Sequence, residues 1–164
     1  MFGFFTKNKL VKDDLRGIAA LMYEDVSSNP WDQENLTKRK LDFTVESVRT
    51  VDLYSQWLMT TEDGLKLMNQ YFDNFVVRIG AYLGEVVKSS IYDNDFQWYE
   101  FNSVNSYSSK LNENDRRPET DTVLYSKKRD IVLFPIADAE LFLEGKSTYP
   151  TLLNYVEETI KQNT

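Results

Sequence analysis

The stretch from Leu65 to Lys88, LKLMNQYFDNFVVRIGAYLGEVVK, constrains the chain more than any other. Met68, Phe72, Phe75, Ile79, Tyr82, Leu83 and Val86 recur at helical spacing over roughly six turns. A helix of that length, with one continuous apolar stripe, has to be a central packing partner in a chain of 164 residues. That length suits a single globular domain over residues 1–164, with 1–10 expected as a flexible tail.

Composition narrows the chemistry. The chain has no cysteine, which removes disulfides, thiolate nucleophiles and thiolate-bound zinc. It has no histidine either, which removes Ser-His-Asp and Cys-His sites, imidazole-bound metals and the usual general base near neutral pH. Catalysis would have to use carboxylates, Lys, Tyr, Ser or Thr, or a carboxylate-bound divalent cation. The formal charge of −7 argues against wrapping nucleic acid and suits a basic partner. No apolar run approaches the roughly 18–20 residues that span a bilayer. The opening MFGFFTKNK places its lysines after the apolar block, the reverse of a signal peptide.

Read in order, Lys12–Val26 is expected as a first helix, with Val11, Leu15, Ile18, Met22 and Val26 in one stripe. Trp31–Lys40 is expected as loop with one short helical turn. Leu41-Asp42-Phe43 reads as extended, and Thr44 as the N-cap of a second helix to about Met59. Asp63 or Thr61 would cap the long helix. Phe96–Phe101 alternates and is aromatic, so a strand is expected, with Phe96, Trp98 and Glu100 on one side and Gln97, Tyr99 and Phe101 on the other. Asn102–Thr120 is long and polar and is expected as an exposed loop. Asp121–Ser126 and Ile131–Phe134 are strands around a charged turn, Lys127–Asp130. Ile136–Glu144 is a helix with Gly145 at its C′ position, and a last helix follows, capped by Ser147 or Thr148. Helices, then strands, then helices imply an α+β fold, with the long central helix packed on a small antiparallel sheet.

Several residues invite a functional reading. Gly80 and Gly84 each cost about 1 kcal/mol in a helix interior, so close approach of another backbone or of a ligand is expected there. Tyr82 and Glu85 beside them are candidate binding residues; Glu85 lies on roughly the same face as Arg78 but too far for a direct pair, and reads as a structural, hydrogen-bonded carboxylate, one linked to Arg78 through another group, or a general base. Trp98, Tyr99 and Glu100 form a candidate aromatic recognition surface. Lys127–Arg129 and Arg116-Arg117 are small basic patches. Asp93 and Asp95 open like a calcium loop, but the required Gly and final Glu are missing, so no metal site is assigned. No catalytic residue and no cofactor are assigned.

Three segments taken together resemble a known group. They are Leu41-Asp42-Phe43-Thr44-Val45-Glu46-Ser47-Val48 with Val51-Asp52, Gly80-Ala81-Tyr82-Leu83-Gly84-Glu85-Val86-Val87 with Trp98, and Phe134-Pro135 leading to Leu141–Gly145. In this order they resemble small bacterial proteins of unknown function that carry an LDFSLESL-like segment, a GAYLGEV helix, a tryptophan strand and a late proline-led helix. The long polar Asn102–Thr120 segment departs from that pattern. The resemblance implies a stand-alone α+β domain in the bacterial cytoplasm, of a kind that fits immunity partners of secreted toxins. It carries over no catalytic residue.

The expectation is therefore a non-enzymatic acidic interaction protein, of immunity or antitoxin type, that binds and inhibits a basic toxin. Two alternatives stand beside it. One is a ligand-binding or carboxylate-dependent enzyme domain, which requires a pocket exposing Tyr82 and Glu85. The other is a structural subunit of a larger assembly. The oligomeric state is not legible in the sequence.

Overall fold

The computed structural model describes residues 9–108 and 121–164. Among them are seven helices and one three-stranded antiparallel sheet, the expected α+β arrangement. Residues 1–8 of the expected tail, and the Arg116-Arg117 patch with the rest of 109–120, lie outside the described residues.

The long helix, α4 (Glu62–Ser90), is the axis of the fold. Thr61 caps it through its hydroxyl, which accepts from the Gly64 amide at 3.0 Å. Tyr71 departs from helical geometry, so the helix kinks there. Beyond the kink the stripe is fully used: Val76 and every residue from Ile79 to Val87 are buried. Around α4 pack α1 (Arg16–Glu24), α3 (Val48–Thr60), α6 (Pro135–Leu143) and α7 (Leu152–Gln162). Two ion pairs clasp α1 to α4, Arg16 with Glu85 at one end and Asp25 with Arg78 at the other. Arg78 is thus the partner of Asp25, and Glu85, two turns along the helix and too distant for a direct pair with it, takes other partners.

Strands β1 (Gln97–Glu100), β2 (Thr122–Ser126) and β3 (Ile131–Leu133) pair in that order. The register sets Trp98 opposite Leu124, and Leu124 opposite Leu133. These three side chains share one face and join the α4 core. Tyr99, Val123 and Tyr125 face the other way and close a second, smaller core with Phe101 and Val104. The alternation read in the sequence is correct, but both sheet faces are covered.

Three local expectations change, and the short helical turn expected near Trp31 is found one residue earlier. Lys12 lies before α1 and bridges to Tyr99 as an added edge pair, with Val11 and Asp13 exchanging backbone bonds with β1. The strand ends at Glu100, and Phe101–Tyr107 forms α5, because burying Phe101 and Val104 stabilises a helical turn that its polar sequence conceals. Pro30–Asn35 forms α2, with Pro30 in its first turn and Asn29 capping it through Trp31 N. Thr44 sits in a turn bonded to Asp42, and α3 begins only at Val48.

The late elements follow their local signals more closely. Gly145, at φ 73, ends α6 with bonds from its own amide to the Phe142 carbonyl and from Lys146 N to the Leu141 carbonyl, a Schellman pair. Thr151 caps α7, in place of Ser147 or Thr148, by accepting from Asn154 N. Asp52 on α3 supplies a second cap, accepting from Leu152 N at 2.7 Å and Leu153 N at 3.0 Å. In the β2–β3 turn, Asp130 takes the left-handed position (φ 50) that a favoured Asn-Gly turn would fill with glycine.

Candidate functional site at Tyr82, Glu85 and Trp98

Tyr82, Gly84 and Glu85 belong to the fully buried part of α4, and Trp98 reaches them from the first strand. The glycines explain the approach. A Cβ on Gly84 would overlap Cζ2 and Cη2 of Trp98, and one on Gly80 would lie 2.5 Å from Cα of Ile136. Gly80 therefore admits the α6 backbone and Gly84 admits the indole. This is the close approach that two helix-interior glycines implied, made by the chain's own elements.

With the indole against Gly84, its Nε1 donates to Glu85 Oε2 at 3.0 Å. Lys88 Nζ, one turn further along α4, lies 3.1 Å from the same oxygen. Arg16 Nη1 approaches Oε1 at 3.4 Å. The Glu85 side chain is 2% exposed. A carboxylate so deeply placed is tolerated because donors from three elements surround it. The Arg16 guanidinium, still largely in water, also lies 5.1 Å over the Phe43 ring.

Tyr82 organises the next layer. Its hydroxyl shares a 2.6 Å bond with Ser47 Oγ and accepts from Phe43 N at 3.1 Å. Its ring stacks on Phe43 with centroids 4.9 Å apart. Burial, the dominant cause, pushes the Tyr82 phenol up to about 12, offset in part by the Ser47 and Phe43 bonds, so it is neutral at physiological pH. Phe43 itself has φ 63, a left-handed conformation that costs a bulky residue energy. Tyr82 holds its amide and ring, Ser89 Oγ donates to its carbonyl at 3.2 Å, and Arg16 covers it. The LDF segment and the GAYLGEV helix are therefore two halves of one brace.

The structure brings Tyr82, Glu85 and Trp98 together and separates the other two candidates. Tyr99 is buried on the opposite sheet face, edge-on to Tyr125. Glu100 is exposed where β1 passes into α5. Trp98 and Tyr99, at 2% and 5% exposure, do not form a recognition surface. Sequence reasoning missed Arg16, Phe43, Ser47 and Lys88. Lys88 was open to detection, because it lies three residues from Glu85 on the same helix. Phe43 gave no signal, since nothing in its neighbours announces a left-handed phenylalanine.

Chemically this centre binds itself. Glu85 and the Tyr82 hydroxyl are engaged with neighbouring donors and acceptors, so neither is presented as a base or nucleophile. Among the described residues, no group of three or more acidic side chains is placed to hold a metal ion. No helix there is long and apolar enough to cross a membrane. The basic turn is partly engaged: Lys127 lies over the Tyr107 ring and Arg129 donates to the Asn163 carbonyl, while Lys128, whose backbone amide donates to Asp95, is exposed. Comparison with known protein families, with characterised proteins and with solved structures gives no match for the chain.

Proposed function

We propose that the chain is a non-enzymatic interaction protein, of immunity type, that binds and neutralises a cationic protein such as a toxin in the bacterial cytoplasm. The observation that carries this reading is the internal use of Glu85. The carboxylate best placed for chemistry in the sequence is buried and bonded to Trp98, Lys88 and Arg16. In a chain of net charge −7, acidic side chains such as Asp42, Asp63, Asp73 and Glu158 are exposed. Such a surface steers a basic partner and raises its association rate. The likeness of the LDF and GAYLGEV segments to small bacterial proteins supports the same reading. The alternative of a pocket exposing Glu85 loses its basis with that side chain at 2% exposure.

Affinity capture from native cells, at low and then at high salt, tests the proposal. One stoichiometric partner of basic composition, released by salt, is expected. Capture of no such partner, or of one indifferent to salt, overturns it.

A further inference from the structure

At the end of α1 far from Glu85, beside the Asp25–Arg78 ion pair, α1, α3 and α4 surround a hollow of about 30 Å³. Leu21 and Phe75 supply apolar wall, Asp25, Ser27 and Arg78 supply polar wall, and Tyr54 of α3 completes it.

Tyr54 is 8% exposed, and its hydroxyl has no hydrogen-bond partner among the described residues. Its ring is well supported. Trp31 and Trp57 stack on it with centroids 6.2 Å and 6.3 Å away, and Phe75 meets it at a steep angle. The charges that act on its oxygen are those of Asp32 and Arg78. Asp32 is bonded to Ser27 Oγ at 2.7 Å, and Ser27 and Arg78 both line the hollow, so the hydroxyl belongs to that wall. Burial pushes the phenol well above its usual value, with Asp32 adding to the shift and Arg78 opposing it, so the group is a neutral O–H donor. A donor this deep needs an acceptor to offset its lost hydration.

Size sets what can supply one. The hollow exceeds the roughly 10–15 Å³ that one water requires and falls far below the roughly 300 Å³ of a small-molecule site. The ion pair on its wall is neutral overall and demands no charged guest. Asp25 Oδ2 takes Arg78 Nη2 at 2.6 Å, which leaves Oδ1 able to accept a further bond.

We infer that this hollow binds a buried water molecule, which accepts from the Tyr54 hydroxyl and donates to the Asp25 carboxylate. The water ties α3 to the terminus of α1 and extends the Asp25–Arg78 clasp. The site stands independently of the proposed partner.

A high-resolution crystal structure and one substitution test it. Ordered solvent density is expected within about 3.2 Å of both Tyr54 Oη and an Asp25 carboxylate oxygen. No density there, or a hydroxyl bonded directly to a protein atom, overturns the site. Tyr54→Phe keeps the stacked ring and removes only the donor. It should melt about 2–4 °C below the parent, as loss of one buried hydrogen bond requires. Tyr92→Phe, at a side chain 92% exposed, should melt within about 1 °C of the parent. A Tyr54→Phe protein as stable as the parent, or more stable, also overturns the site, because removing an unbonded buried hydroxyl costs nothing.

Discussion

Alanine at position 84 should destabilise the protein, although it replaces a glycine in a helix interior. Taken alone, Gly→Ala inside a helix is favourable by about 1 kcal/mol. Here the new methyl would occupy the space of Trp98 Cζ2 and Cη2, and would stand 3.3 Å from Leu124 Cδ1. Restoring carbon–carbon contact at about 3.5–4.0 Å moves the indole back by more than about 1 Å. Overpacking of this kind costs about 2 kcal/mol. The same movement stretches the 3.0 Å bond from Nε1 to Glu85, and a hydrogen bond to a charged group contributes about 2 kcal/mol. The net expectation is a loss of about 3 kcal/mol, or roughly 6–12 °C in melting temperature. Urea denaturation followed by tryptophan fluorescence measures it. Gly17→Ala is the control, because nothing among the described residues lies within 4 Å of a Cβ there, and it should gain up to about 1 kcal/mol. In a Trp98→Phe background the cost of Gly84→Ala should shrink, since the displaced donor is gone. A Gly84→Ala protein as stable as the parent, or more so, refutes the account of the indole against α4.

Three further outcomes follow from the same geometry. Glu85→Ala orphans the indole N–H and leaves Lys88 and Arg16 without their carboxylate, so denaturation should show a loss of about 3 kcal/mol, with Glu85→Gln milder because it can still accept from Trp98. Ser55 Oγ is buried without a hydrogen-bond partner among the described residues, so Ser55→Ala should be neutral or stabilise by about 1 kcal/mol in the same assay. Burial pushes the Asp95 carboxyl up, but bonds from Ser126, Lys128 N and its own amide, with the Lys128 charge, outweigh it and hold the group below its usual range. Its contribution is then complete above the unfolded-state value and lost as pH falls through the lower folded one, so the stability gap between the parent and Asp95→Asn should be full at about pH 6 and close below about pH 4.

The sequence carried the fold wherever one local signal agreed with its surroundings. The apolar stripe of α4, the glycine after α6 and the alternation of β1 are periodic or conformational signals that packing reinforces. The polar α5 was hidden, because tertiary burial of Phe101 decides it rather than periodicity, whereas the six-residue α2, capped by Asn29, is the short helical turn expected near Trp31. The site was legible in part. Gly80 and Gly84 announced close approach, and Glu85 and Tyr82 were correctly singled out as unusual. Their partners come from 35 to 69 residues away in Phe43, Ser47 and Arg16, and spacing alone cannot register contacts of that range. The motif-like words of α4 therefore encode packing, with Gly80 against Ile136, Gly84 against Trp98 and Glu85 bonded to the indole.

The central claim is that the Tyr82–Glu85 centre holds the fold and is not the surface for the proposed partner. Capture of the proposed basic partner by Glu85→Gln and Tyr82→Phe proteins, beside the parent and at a temperature where melting curves show all three folded, tests it directly. Equal capture by the three proteins is the predicted result. A folded variant that no longer retains the partner would contradict the account and return the function to that centre.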